Sequence, residues 1–109
     1  MPWLVRGDDV LASAELADTR AARRKGLCGR PTVEGAFVIR PCRHVHTFAM
    51  KCALDIAFCD AAGTVLATQT LPPRRFSRLV PKTTHVIEAA AGSFERWGLV
   101  VGDVIEVRE

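Results

Sequence analysis

Hydrophobic and polar positions alternate with period two through residues 41–60, PCRHVHTFAMKCALDIAFCD. One parity collects Cys42, His44, His46, Phe48, Met50, Cys52, Leu54, Ile56 and Phe58, and the other includes Val45, Thr47, Lys51, Asp55 and Ala57. In an extended chain each set occupies one face. The run is too long for one ordinary strand, so a break near 51–53 and two strands are expected. After Asp60, the turn 61–63 separates LDIAFCD from TVLATQTL. That predicts an antiparallel hairpin pairing 54–60 with 64–71. Residues 10–17, 36–39, 86–91 and 104–107 supply the remaining strand candidates.

Two short helices interrupt this pattern. Asp18 or Thr19 can cap TRAARRK, and Gly26 stands where a glycine would end it;. At about two turns this helix needs tertiary support, which its alanines and Leu27 can provide. Arg20, Arg23 and Arg24 are then left toward solvent or a ligand. A second helical turn follows Gly92, with Ser93 as the expected cap, Glu95 in the first turn and Gly98 at the end;. Residues 72–84 (PPRRFSRLVPKTT) show no period and read as a long exposed loop carrying Arg74, Arg75, Arg78 and Lys82;. No long helices alternate with the strands as a parallel sheet requires. The expected fold is therefore a single α+β domain over 1–109, a mostly antiparallel, barrel-like sheet with two short helices.

Composition refines this picture. The chain has 109 residues, 49% of them apolar, enough for one core;. The apolar runs are too short for a membrane span, so no membrane partner is expected. The start, MPWLVRGDDV, lacks an apolar stretch before its acidic pair, which argues against a signal peptide. Four cysteines without a C-x-x-C pair suit reduced thiols and a cytoplasmic location;. The net charge of +3 is unevenly spread: residues 1–19 and 83–109 each sum to −3, leaving +9 between them. That middle could attract an anionic partner, although acidic termini folded over it would satisfy it as well.

Several groups could carry chemistry. Cys42, His44, His46 and Met50 form a soft-metal set suited to copper(I) or zinc. On a straight strand, however, Cys42 and Met50 would lie roughly 26 Å apart, so no bound metal and no cofactor are expected. Asp55 and Glu88 each interrupt an apolar strand, where an ionised carboxylate needs a partner. Facing one cleft, they could support acid–base chemistry. Paired with Arg40, Lys51 or loop amides, they would be structural. RRFSR offers one aromatic among basic residues, too little for a nucleic-acid surface. None of the cysteines lies in a recognised nucleophile signature.

Three blocks carry a resemblance: GLCGR (26–30), HTFAMKCALDIAFCDAAGTV (46–65) and VIEAAAGSFERWGLVVGDVIEV (86–107). Together they resemble the small bacterial and archaeal domain-of-unknown-function family 192. The positions that match its pattern are Gly26, Leu27, Met50, Asp55, Phe58, Glu88, Gly92, Gly98, Gly102 and Asp103. Cys28 replaces the family's usual Met, which weakens a methionine-based metal site, and Lys51-Cys52-Ala53 replaces its usual polar-then-Pro approach to Leu-Asp. The resemblance implies a compact β-rich α+β fold and no particular activity.

The expected function is a small binding or interaction module, with a cleft rimmed by His46, Met50, Asp55 and Glu88. Arg40 and the 72–84 loop would add cationic contacts, so the expected ligand is small and anionic. The alternatives are an enzyme using Asp55 or Glu88 as a general base, or a weak copper- or zinc-binding protein. Asp55 points away from Leu54, Ile56 and Phe58, and is expected to be buried with bonds from backbone amides or Arg40.

Overall fold

The computed structural model describes residues 2–27, 30, 32–48 and 50–109. Among these residues seven strands form one sheet: β1 (Trp3–Arg6), β2 (Asp9–Ala17), β3 (Ala36–Ile39), β4 (Leu54–Cys59), β5 (Val65–Leu71), β6 (His85–Ala90) and β7 (Glu106–Arg108). Helix α1 (Arg20–Lys25) follows β2, and α2 (Ser93–Trp97) follows β6. The spatial order is β5-β4-β6-β3-β2-β1-β7. Only β2 and β3 pair in parallel; the other neighbours are antiparallel. The parallel pair is joined through α1, since a parallel connection needs a dozen or more residues.

The β4–β5 hairpin forms as expected, with Leu54 opposite Leu71 and Phe58 opposite Ala67. Its turn is held by Asp60, whose Oδ1 accepts the N–H groups of Ala62 at 3.0 Å and Thr64 at 2.9 Å. Helix α1 also follows its local signals. Thr19 accepts the N–H of Ala22 through its hydroxyl, and the Gly26 N–H closes onto the Ala22 carbonyl. The strand β1 lay outside the expected set, because four residues of WLVR carry too little periodicity to stand out.

The sheet curls until its two edges nearly meet. Thr64 and Val104 form a bridge, Val65 donates to the Asp103 carbonyl at 2.8 Å, and Ile105 donates to that of Gly63 at 2.9 Å. Val104 thus serves this bridge, and the last strand starts only at Glu106. The barrel stays open, since no ladder joins β5 to β7 in the strand order. Gly63 makes the approach possible: its φ is +88°, and a Cβ there would overlap the Ile105 carbonyl oxygen. Gly63→Ala should cost at least about 1 kcal/mol, read as a lower urea midpoint at unchanged m-value. An unaltered midpoint would show that this edge-to-edge contact contributes nothing.

Curling creates an inner core and an outer one. The inner core takes Leu4, Ala14, Val38, Ala57, Val65, Ile87 and Ala89 from six strands, with Val107 of β7 packed against it and Phe94 and Leu99 filling it. The outer core covers the opposite face of β3, β4 and β6 with Phe37, Ile39, Leu54, Ile56, Phe58 and Val86, beneath Leu27, Val45 and Met50. All the residues of β3 and β4 are therefore buried. Such strands lose their polar alternation because neither side meets water.

Residues 41–53 depart from the two-strand expectation. This stretch has no strand among its described residues and only one bridge, between His46 and Phe76. Thr47 explains its path. It is fully buried, its N–H donates to the Arg75 carbonyl, and its own carbonyl accepts from Arg74. Its hydroxyl donates to the Pro72 carbonyl and accepts the Arg75 N–H at 3.1 Å. Val45 and Ser77 exchange two further bonds. The segment thus pairs with the 72–84 loop instead of extending the sheet, and together they cover the outer core.

Candidate functional site: a pocket over Glu88

Cross-strand register decides what Glu88 meets. It stands opposite Phe37 on one side and Ile56 on the other, so its side chain enters the outer core. Asp55 stands opposite Thr70 and Ala89, on the inner face. The two carboxylates are thus separated by the sheet, and the expected shared cleft does not exist. A one-residue offset in strand pairing sends side chains to opposite faces, and sequence alone does not supply that offset.

Asp55 is closed off by backbone. It is 5% exposed, and its Oδ2 accepts the N–H groups of Gly92 at 3.0 Å and Phe94 at 3.1 Å. Its Oδ1 accepts the Thr70 hydroxyl at 2.8 Å. Loop amides, not Arg40, are its partners. The contact also revises the cap of α2: Gly92 is the N-cap, in the left-handed region. Asp55, reaching from β4, takes the Phe94 N–H, one of the orphan donors of the first turn that a glycine N-cap has no side chain to satisfy;. Ser93 itself is buried and accepts from Arg96.

Glu88 has the opposite situation. It is 3% exposed, yet it lines a cavity of about 190 Å³. The walls are apolar, formed by Leu27, Ile39, Val45, Met50 and Leu54, and the mouth carries Arg23, Arg24, Lys25, His44 and His46. No described residue hydrogen-bonds its carboxyl, and burial alone pushes its pKa up to about 7. Glu88 is one of the residues lining that cavity, and among the described residues no sealed side-chain oxygen lacks a partner. Its carboxyl can hold a proton near neutrality because no cation is close enough to favour its charged form.

The structure places His46, Met50 and Glu88 at one pocket, together with Cys42, His44 and the end of α1. Arg40 lines a different cleft with His85 and Gly63, while Asp55 lines a third beside Gly92. No residue of 72–84 lines the pocket over Glu88; its Phe76 instead packs edge-on against Phe48 and against His46 beside the mouth. Arg23 is tied down by the carbonyls of Asp18 and Arg40, which leaves Arg24 and Lys25 as the exposed cations. These were legible as basic residues of a capped helix, but nothing in the sequence placed that helix over Glu88.

Cys42, His44, His46 and Met50 all line this pocket, because the chain bends where a straight strand would have spread them. Among the described residues, however, no three His, Cys, Asp or Glu side chains are grouped to hold a metal ion. Burial pushes the Cys42 thiol up and the Glu88 carboxylate adds to it, against a smaller lowering from the His44 backbone; the thiol itself donates to the His44 carbonyl. A protonated thiol is a poor nucleophile.

Gly102-Asp103 acts in the frame. Asp103 accepts from the Val100 N–H and from Arg6, both of which draw its pKa down, and Arg6 also donates to the carbonyls of Trp97 and Gly98. This clamp fixes the end of α2 to β1. Among the described residues no helix is long and apolar enough to cross a membrane.

Comparison with solved structures finds this architecture elsewhere. A crystal structure of a protein of unknown function from Novosphingobium aromaticivorans matches with a TM-score of 0.82 and 26% identity, over 96% of this chain and 83% of that one. A Sinorhizobium meliloti protein, described as a "putative transcription regulator", matches with a TM-score of 0.77 and 21% identity, over 97% and 91% of the two chains. Curated proteins give no match. The DUF192 family, described as "Uncharacterized ACR", matches residues 4–107, nearly the whole chain. With the curled sheet and the glycine and acidic positions all in place, the chain belongs to the DUF192 family.

Proposed function

We propose that this protein is a binding module whose pocket over Glu88 receives a small anionic ligand. The observation that carries this reading is the pocket itself: apolar walls beneath a mouth with the exposed cations Arg24 and Lys25. Ligand sites commonly combine an apolar lining with a few placed polar groups. Cations beside an opening also raise the local concentration of anions. Asp55 supports a module over an enzyme that would use it as a base, since its oxygens are already taken by two amides and a hydroxyl.

The test is a ¹H–¹⁵N titration with pentanoate and, separately, inorganic phosphate. Amide shifts should concentrate at residues 23–27 and 42–46, and the double substitution Arg24→Ala, Lys25→Ala should weaken them at least fivefold. Shifts confined to other surfaces, or none at all, would remove this reading.

Glu88 favours a second reading, as a general acid or base, because a carboxyl near pKa 7 is matched to proton transfer at neutral pH;. Deuterium uptake at the methyl group of pyruvate in D₂O, lost in Glu88→Gln, would support catalysis over binding alone.

A further inference from the structure

The pocket is polarised along its depth. Glu88, 3% exposed and without a described hydrogen-bond partner, supplies a carboxyl at the inner end. Arg24 and Lys25 are exposed at the mouth. Between them stand Leu27, Val45, Met50 and Leu54, all buried and apolar.

A ligand anchored only at the mouth would leave the inner carboxyl without a partner among the described residues, and an unpaired buried polar group is costly. What completes the site is a hydrogen-bond donor, best a cationic one, because charge-assisted bonds are the stronger kind. The outer end of the same ligand must be anionic, and the span between them must be aliphatic to match the walls. Resting on the anion-pocket reading above, we infer that the ligand class is a small ω-amino acid: an ammonium group at Glu88, a carboxylate at Arg24 and Lys25, and a short methylene chain between. The size agrees. An apolar cavity of about 150 Å³ admits benzene, and this one has about 190 Å³.

Charge separation is the distinguishing property, so isomers test it. Calorimetry at pH 8, where Glu88 is mostly ionised, would compare 5-aminopentanoate with its isomer 2-aminopentanoate, whose charges sit on one carbon. Pentanoate and pentylamine complete the set, each lacking one charge. The expected result is that 5-aminopentanoate binds at least tenfold more tightly than each of the other three. Glu88→Gln should remove that advantage, bringing the affinities for 5-aminopentanoate and pentanoate within about twofold of each other. Equal affinity for pentanoate and 5-aminopentanoate would overturn the inference and leave the anion pocket standing. An advantage for 2-aminopentanoate would overturn it as well. If neither pentanoate nor 5-aminopentanoate binds, both readings fall. The wild-type comparison needs no variant, so a poorly folded Glu88→Gln protein would not rescue the idea.

Discussion

Asp55→Ala should lower the stability of this protein by about 2–4 kcal/mol: about 1–3 kcal/mol for the buried Phe94 amide left without an acceptor, and about 1 kcal/mol for the bond lost by the part-buried Gly92 amide;. The donors are the N–H groups of Gly92 and Phe94, held at 3.0 and 3.1 Å. Thr70 would also lose its hydroxyl partner on the neighbouring strand. The loss is structural in reach, since these bonds hold the start of α2 and its Phe94 in the inner core. Typical domains have only about 5–15 kcal/mol to lose, so the alanine variant should sit near the edge of folding. Asp55→Asn keeps the shape and one carbonyl acceptor, and its urea midpoint should fall between alanine and wild type. Thr70→Ala removes only a hydroxyl donor and should cost less than either. If Asp55→Ala matches the wild-type midpoint, the carboxylate is not what secures α2.

The second large effect concerns Glu88 and pH. Its folded pKa is pushed up to about 7 from an ordinary 4.5, with burial as the cause. Between those values the unfolded chain releases the proton while the folded one retains it. Folding stability from this group is therefore fully present below pH 4.5 and declines as pH rises toward 7. Above the folded pKa it levels off about 3 kcal/mol lower, at roughly 1.4 kcal/mol for each pH unit of the gap. Glu88→Gln carries no titrating proton there, so the difference in unfolding free energy between the two proteins isolates the effect. That difference should move in favour of the Gln variant by about 3 kcal/mol between pH 4.5 and 8. A constant difference across the range would mean that Glu88 is ionised as readily folded as unfolded.

These two residues have similar sequence settings, LDIAF and VIEAA, yet opposite fates. One is a satisfied anchor and the other an open carboxyl at a pocket. The residues that separate them are distant in the chain: Asp55 meets amides 37 and 39 positions away. Glu88 is covered by α1 and by residues 42–50, far upstream. This explains why a common cleft was a natural expectation and why it fails.

Sequence alone determined what local chemistry could carry. The β4–β5 hairpin follows from matched apolar runs around a glycine turn, and α1 from Thr19 and Gly26 at its ends. Asp55 was legible as buried and bonded either to backbone amides or to Arg40, because a carboxylate inside an apolar strand has few other options. The family blocks also announced the overall α+β class. Only the tertiary structure decided the rest. Pairing of β6 with β3 and β4 set Glu88 on the outer face, and no local signal encodes an inter-strand register. Residues 41–53 left the alternating pattern they display because Thr47 and Val45 bond to the 72–84 loop instead of a sheet neighbour. That detour folded Cys42, His46 and Met50 around one cavity, and α1, docked across the same face, brought its cations to the mouth. Periodicity reports which side of a strand is apolar; which element arrives to cover that side is settled by packing between segments far apart in the chain.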